Sequence, residues 1–258
     1  MKKSNSRKTL ITITAAAAAL TMMLSGCGSS SSSSSDSSAS STSDSGTFMA
    51  AGLFPLTGSM ADLGPDNIAT MKLAQKDIND AGGVLGKDIE ITSADTSDAD
   101  HADQNTSSAQ SVLAKNPSVV VGPPSSSVVK NTYKQVTSAK VPMISSGATS
   151  TAFSGLNDYF FRTIPPDTVQ GAVLGQIIAQ DGVKNLAIAV FNDEYGTSLR
   201  DVVVKTVEDA GVKVVYGEKD TLDPTATNFS SMVTSTKASN ADATQVIAFE
   251  QTVPLHKA

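Results

Sequence analysis

Cysteine occurs once and histidine twice in the 258 residues, and each scarcity removes a class of function. A single thiol closes no disulfide within the chain and builds no cysteine-based metal centre, so the folded part must rest on an ordinary apolar core. His101 lies in a polar loop ahead of a helix, and His256 lies near the end of the chain. Neither follows a strand end that carries a serine, which leaves a Ser-His-acid triad without its base. G-x-S-x-G does not occur, nor do G-x-G-x-x-G or a P-loop lysine, so nucleotide phosphates have no cradle. Positive charge is short as well: 19 Lys and Arg face 25 Asp and Glu, for a net charge of −6. Phosphate backbones and anionic lipid surfaces attract basic proteins, so this balance argues against nucleic acid and polybasic membrane adhesion. Asp95, Asp98, Asp100 and Asp103 crowd one stretch. Lacking the glycine and closing glutamate of an EF-hand, they read as a solvated acidic loop rather than a calcium site. No enzyme activity, metal or cofactor is expected.

What the chain does have begins with a leader. Lys2, Lys3, Arg7 and Lys8 precede an uncharged, mostly apolar stretch over residues 9–24, followed by Ser25-Gly26-Cys27. A basic start, a short apolar run and small residues at a cleavage point make a secretory signal. The run is short for crossing a bilayer, its flank is polar, and no second long apolar run follows. Leu24-Ser25-Gly26-Cys27 resembles the bacterial lipobox, which implies cleavage before Cys27 and lipidation of its thiol. The expected location is the extracytoplasmic face of the cell membrane, held by that lipid. Removing the four leader cations takes the formal charge from −6 to −10. Residues 28–46 are nearly all serine, too polar to offset the entropy of ordering. As a coil this tether reaches about 20–25 Å. Roughly 210 residues then remain, enough for a large core or two lobes.

Beyond the tether, apolar strands alternate with amphipathic helices. Strands are expected over residues 47–54, 88–94, 118–122, 141–145, 159–164, 185–191, 213–216 and 245–249. Helices are expected over residues 65–81, 102–115, 127–138, 167–180, from 193 to about 210, and 229–238. Gly82-Gly83 stops the first helix by supplying the left-handed conformation after its last turn. Such alternation means right-handed crossovers and parallel sheets covered on both faces. Pro165-Pro166 breaks the series, so the fold class is α/β with two doubly wound parallel-sheet lobes. The expected organisation is a signal peptide over residues 1–26, lipidated Cys27 and tether to 46, a first lobe over 47–166 and a second over 167–258.

Open parallel sheets bind ligands outside the carboxyl ends of their strands. Three loops at such ends are polar. Ser125-Ser126-Ser127 precedes a helix, where hydroxyls and backbone N–H groups suit an anion such as a carboxylate. The same serines also read as an N-cap, worth about 1 kcal/mol. Residues 146–150 bring a second set of hydroxyls on close-approach backbone, with no clear helix after them. Asp193-Glu194-Tyr195-Gly196 lies at the matching edge of the second unit, where Tyr195 either packs or covers a ligand from across a cleft.

These turns also carry a family resemblance. Its segments are Leu56-Thr57-Gly58 with Gly64, Asp77-Ile78-Asn79-Asp80-Ala81-Gly82-Gly83 with Gly86-Lys87, and Val121-Gly122-Pro123. Val141-Pro142-Met143-Ile144-Ser145 with Ala148-Thr149, Phe161-Arg162-Thr163 with Pro165 and Asp167, and Tyr195-Gly196 follow. In this order and spacing, over residues 47–249, they resemble the substrate-binding lipoproteins of branched-chain amino acid ABC transporters. That group is the leucine/isoleucine/valine-binding branch of the type I periplasmic binding proteins. The resemblance implies capture of an amino acid between two lobes and delivery to a membrane permease. It puts the ligand carboxylate on Ser126 and on the backbone and hydroxyl groups of Gly147, Ala148 and Thr149, with Tyr195 closing from the second lobe. Leu63 stands where leucine-type binders have an aromatic wall. Members of the group continue well past Ala258, so a C-terminally truncated chain is implied. Its second lobe would be incomplete and would lack the acid that meets the ligand's ammonium. A ligand sensor of the same fold, signalling to a receptor about an amide or other small polar solute, is the alternative.

Overall fold

The structure, a computed structural model, describes residues 46–156 and 158–257. The leader, Cys27 and all of the serine tether except Gly46 lie outside the described residues. Five strands form one sheet: β1 (Met49–Phe54), β2 (Glu90–Asp95), β3 (Val119–Val121), β4 (Met143–Ser145) and β5 (Phe160–Arg162). Their order is β2-β1-β3-β4-β5, and every pairing is parallel. The crossover helices are α1 (Leu63–Asp80), α2 (Ala102–Leu113) and α3 (Ser126–Ser138). β1 is buried from Ala50 to Phe54, as a central parallel strand covered on both faces must be. Leu53, Val120, Val129, Val136 and Met143 form the core of this first lobe.

The second sheet holds β6 (Asn185–Val190), β7 (Lys213–Tyr216) and β8 (Ala243–Ile247) in the parallel order β7-β6-β8. This repeats the first three positions of the first sheet, with β6 in the place of β1. Its helices are α4 (Asp167–Gln180), α5 (Glu194–Asp209), α6 (Ser230–Ala238) and α7 (Thr252–His256). Leu186, Ile188 and Val190 from β6 meet Leu199, Val203 and Val207 from α5 in a second core. α4 begins at Asp167, directly after Pro166, where the sequence places the start of this helix. Three elements depart from expectation. A 3-10 turn, Thr151–Phe153, follows the loop after β4, with Ser150 Oγ accepting from Ala152 N at 3.2 Å. β8 ends at Ile247 rather than at Phe249, and the last strand is followed by the short helix α7.

Helix ends follow the local chemistry. Gly82 and Gly83 adopt φ of 100° and 70°, and Gly83 N donates to Ile78 O at 2.9 Å, which satisfies a carbonyl left free at the end of α1. Between α4 and α5 the glycines act by size. A Cβ on Gly171 would lie 2.7 Å from Val202 Cβ, and one on Gly175 would lie 2.7 Å from Thr206 Cβ. Gly175→Val should therefore force the two helices apart and cost about 1–3 kcal/mol, the usual penalty of overpacking. Urea denaturation of the two proteins reads this directly. Equal midpoints would show that α4 slides to make room.

Candidate functional site

Loops from both sheets converge at the carboxyl ends of the strands and enclose a cavity of about 270 Å³. The first lobe contributes Met60 after β1, Pro124, Ser125 and Ser126 after β3, Gly147 and Thr149 after β4, and Ile164 after β5. Facing them are Gln170 on α4, Tyr195 on α5, and Ala248 and Phe249 after β8.

The three serines of the β3 loop divide three tasks. Ser125 caps α3, its Oγ accepting from Val128 N at 3.4 Å. Ser127 Oγ crosses to the second lobe and accepts from Glu194 N at 3.0 Å. Ser126 Oγ accepts from Ser150 N at 3.3 Å, which leaves its own hydrogen for an acceptor in the cavity. Capping and ligand contact are thus properties of different residues in one run.

The loop after β4 is held from behind. Ser145 Oγ donates to Pro123 O at 2.6 Å and accepts from Ala148 N at 3.0 Å. Arg162 Nη1 donates to the carbonyls of Ala148 and Ser150 at 3.2 and 2.9 Å. Asp167 N donates to Thr149 O at 2.8 Å. A Cβ on Gly147 would come within 2.7 Å of Pro124 O, so only glycine lets the two strand-end loops touch here. Thr149 Oγ1 is buried and has no hydrogen-bond partner.

On the second lobe, Asp193 caps α5, with Oδ1 accepting from Gly196 N at 2.9 Å. Burial pushes the Asp193 carboxyl above the usual carboxylate range, against the hydrogen bonds that favour its charged form. Gly196 fits tightly under this turn, since a Cβ there would lie 2.8 Å from Val190 Cγ2. Tyr195 lies beside Phe249, ring centroids 5.7 Å apart, and its Oη accepts from Gln170 Nε2 at 3.3 Å. Desolvation raises the Tyr195 phenol further above its normal value, so it stays protonated. Glu194 bridges the lobes. Its Oε1 accepts from Ser150 Oγ and its Oε2 from Lys130 Nζ, both at 2.7 Å.

Ser126, Gly147, Thr149 and Tyr195 therefore line one cavity. Ala148 is buried behind that lining, with its N–H on Ser145 and its carbonyl on Arg162. Leu63 begins α1, is 40% exposed, and is not part of the lining; Met60, three residues earlier, is the apolar wall on that side. Met60, Ile164, Gln170, Ala248 and Phe249 were not indicated by local pattern. Phe249 carried a signal in principle, as a large apolar residue at the end of the last expected strand. A second, larger cavity of about 570 Å³ is lined by Ser59, Asp98, Asp100, His101 and Glu250, among others. Asp98 is already satisfied there by Ser59 N at 2.7 Å and His101 Nδ1 at 2.7 Å. The smaller cavity keeps polar groups with unused valence, and it is the candidate site.

Residues 49–258 match the periplasmic binding protein family. The chain belongs to that family. A leucine-, isoleucine-, valine-, threonine- and alanine-binding protein of Pseudomonas aeruginosa is 36% identical over 167 residues, covering 64% of this chain and 44% of that protein. Among solved structures, a leucine-binding protein of Thermotoga maritima superposes with a TM-score of 0.74 at 17% identity, over 81% of this chain and 59% of that one. An ABC-transporter solute-binding protein of R. palustris, in complex with 4-hydroxybenzoate, gives a TM-score of 0.73 at 21% identity, over 83% and 57% of the two chains. These neighbours share the type I periplasmic binding protein fold. The chain spans about half the length of the curated relatives it matches. Among the described residues no helix is long and apolar enough to cross a membrane, and no cluster of His, Cys, Asp or Glu could hold a metal ion.

Proposed function

We propose that this periplasmic binding protein is the extracytoplasmic solute-binding component of an ABC importer. In this reading it captures a branched-chain or related amino acid between its lobes and hands it to a membrane permease. The observation that carries the reading is the meeting of Ser126 and Thr149, both with unused hydroxyl valence, opposite Tyr195 and Phe249. The hydroxyls of Ser126 and Thr149 hold the carboxylate. Met60, Ile164, Tyr195 and Phe249 enclose the apolar side chain. The relatives named for leucine, isoleucine and valine support this chemistry. A lipid on Cys27 would keep the loaded binder near the permease and raise its local concentration there.

Titration calorimetry of the protein with leucine, isoleucine, valine and 4-hydroxybenzoate tests the reading. At least one aliphatic amino acid should bind, and Ser126→Ala should weaken it about tenfold, the effect of losing one hydrogen bond to a charged group. Binding of 4-hydroxybenzoate alone would replace the amino acid with an aromatic acid. An unchanged affinity in Ser126→Ala would remove the carboxylate assignment.

A further inference from the structure

The loop between β1 and α1 hangs from two carboxylates at and after the end of β2. Asp95 Oδ1 accepts from Leu56 N, and its Oδ2 from Thr57 Oγ1, both at 2.7 Å. Asp98 takes the next stretch, its Oδ2 accepting from Ser59 N at 2.7 Å. Gly58 lies against that carboxylate at a φ of 82°, and a Cβ on it would fall 2.2 Å from Asp98 Oδ2. The chain then turns back at once, with Ala61 N donating to Gly58 O and Leu63 N to Met60 O, both at 3.1 Å. This turn carries Met60, which is buried and lines the ligand cavity.

Asp98 is itself held. Its Oδ1 meets His101 Nδ1 at 2.7 Å and accepts from Asp100 N at 3.2 Å. Beneath it, the buried Asn105 of α2 donates to the carbonyls of Thr96 and Asp98 at 2.6 and 3.0 Å. Asn105 Oδ1 accepts in turn from Asn131 Nδ2 of α3 at 2.8 Å. Asp98 is 5% exposed, whereas the His101 side chain is 55% exposed. A carboxylate accepting from a backbone N–H makes a bond roughly twice as strong as a neutral acceptor does. The turn that bears Met60 is thus tied by a charge-assisted bond to a support shared with α3, the helix that begins at Ser126.

We propose that Asp98, clasped by His101, is a positioning residue: through Ser59 it seats Met60, so that the site favours longer aliphatic side chains. This inference rests on the amino-acid reading above and adds how that site ranks its substrates. Methionine adapts through three rotatable bonds, so the wall it forms is set by where its backbone is fixed. The clasp is also open to titration. The charged groups around His101 are acidic: Asp95, Asp98 and Asp100 before it, Asp103 in the first turn of α2, and Glu250 in the lining of the same larger cavity. Asp223 adds its charge to Asp100. The hydrogen bond to Asp98, with the nearby carboxylate charges, holds the His101 imidazolium above its usual range against desolvation. Burial alone would raise the Asp98 carboxyl, but the bonds from His101 and Ser59 N hold it below its usual range. Asp98 therefore stays charged where His101 titrates, and the clasp weakens as pH rises through the imidazolium's value.

The test compares leucine with alanine (valine where alanine is too weak to read) by calorimetry on the full chain. The unaltered protein should prefer leucine. Asp98→Ala should lower leucine affinity about tenfold, the effect of losing a hydrogen bond to a charged group, and leave alanine affinity unchanged. Met60→Ala should do the same, and the double variant should be no worse than either single one, because both act through one wall. Leucine affinity should fall about twofold between about pH 6.5 and about pH 8.5, a small change because His101 is exposed. His101→Gln should flatten that profile. Retained alanine binding shows that Asp98→Ala is folded; if it does not fold, His101→Gln decides, a flattened profile supporting the proposal and an unchanged one overturning it. Equal weakening of both ligands in Asp98→Ala would make Asp98 structural and overturn the proposal. An unchanged ratio, additive losses in the double variant, or a flat profile in the unaltered protein would overturn it too. The carboxylate reading survives each of these provided Ser126→Ala still weakens leucine. If the unaltered protein binds neither ligand, that reading fails and this inference falls with it.

Discussion

Glu194→Lys should weaken ligand capture by about a hundredfold, the equivalent of about 3 kcal/mol. The expectation comes from what that carboxylate joins. Glu194 starts α5 in the second lobe, yet both of its oxygens accept from first-lobe groups, Ser150 Oγ and Lys130 Nζ. Its own N–H is held by Ser127 Oγ, also from the first lobe. Lys130 is 64% exposed, so the ion pair taken alone is worth about 1 kcal/mol or less. The larger share comes from the Ser150 contact, because Glu194's side chain is only 15% exposed and a lost buried partner costs about 1–3 kcal/mol. A lysine there adds repulsion from Lys130 to that loss. Ser150 neighbours Thr149 and Glu194 neighbours Tyr195, so the bridge presses the two walls of the cavity together. Dissociation of leucine, followed by stopped flow, should accelerate, and small-angle scattering of the free protein should show wider lobes. Exchanging the pair, with Lys130→Glu added to Glu194→Lys, should relieve the lysine–lysine repulsion and restore only the smaller share of the affinity, because the Ser150 contact stays lost. An unchanged affinity in Glu194→Lys itself would mean that the bridge does not hold the cavity walls together.

The elements that the sequence places well are those whose ends have local chemical causes. α4 begins at Asp167 because Pro166 cannot continue a helix backwards from it, and α1 ends at Gly82-Gly83 because both adopt positive φ. β7 is isolated by turns on both sides and falls at Lys213–Tyr216, as its pattern indicates. What escapes local pattern is short or long-range. The turn Thr151–Phe153 is three residues long, too short to show a helical period. α7 carries Pro254 inside five residues, and proline is ordinarily a reason to end a helix. Phe249 looks like the last residue of a strand because it is apolar and follows Val246 and Ile247. It lies past the strand instead, against Tyr195, since a cavity wall and a sheet interior select the same kind of side chain. The site divides in the same way. Ser126, Gly147, Thr149 and Tyr195 sit at strand ends, and the crevice rule finds them there. Glu194 and Asp167 look like ordinary first-turn acids of their helices, a favourable place for negative charge. Only the tertiary structure shows one bonded across the lobes and the other buried without a partner.

Phe54→Ala should destabilise the protein by about 3–5 kcal/mol, the range for emptying a buried aromatic site. The residue is 1% exposed at the carboxyl end of β1, and two glycines exist to admit its ring. A Cβ on Gly52 would fall 2.3 Å from Phe54 Cε2. One on Gly122 would fall 3.2 Å from Phe54 Cε1 and 2.4 Å from Leu53 O, at a φ of 89° that itself favours glycine. The ring thus fills the space between β1 and the end of β3, and packs beside Ala50 and Met71. The consequence reaches the site by a short path. Gly122 leads through Pro123, whose carbonyl is bound by Ser145 Oγ, to Ser125 and Ser126 on the cavity wall. An emptied site under Gly122 should therefore loosen the Ser126 loop as well as lower stability. Urea denaturation should show a lower midpoint with an unchanged slope, which marks lost stability rather than a changed denatured state. Ligand affinity should fall in the same variant at temperatures where it remains folded. Gly52→Ala, which crowds the same ring instead of removing it, should also destabilise, by about 1–3 kcal/mol. A Phe54→Ala midpoint within experimental error of the unaltered protein would mean that Met71 and Ile68 collapse into the space, and the link from β1 packing to Ser126 would be lost.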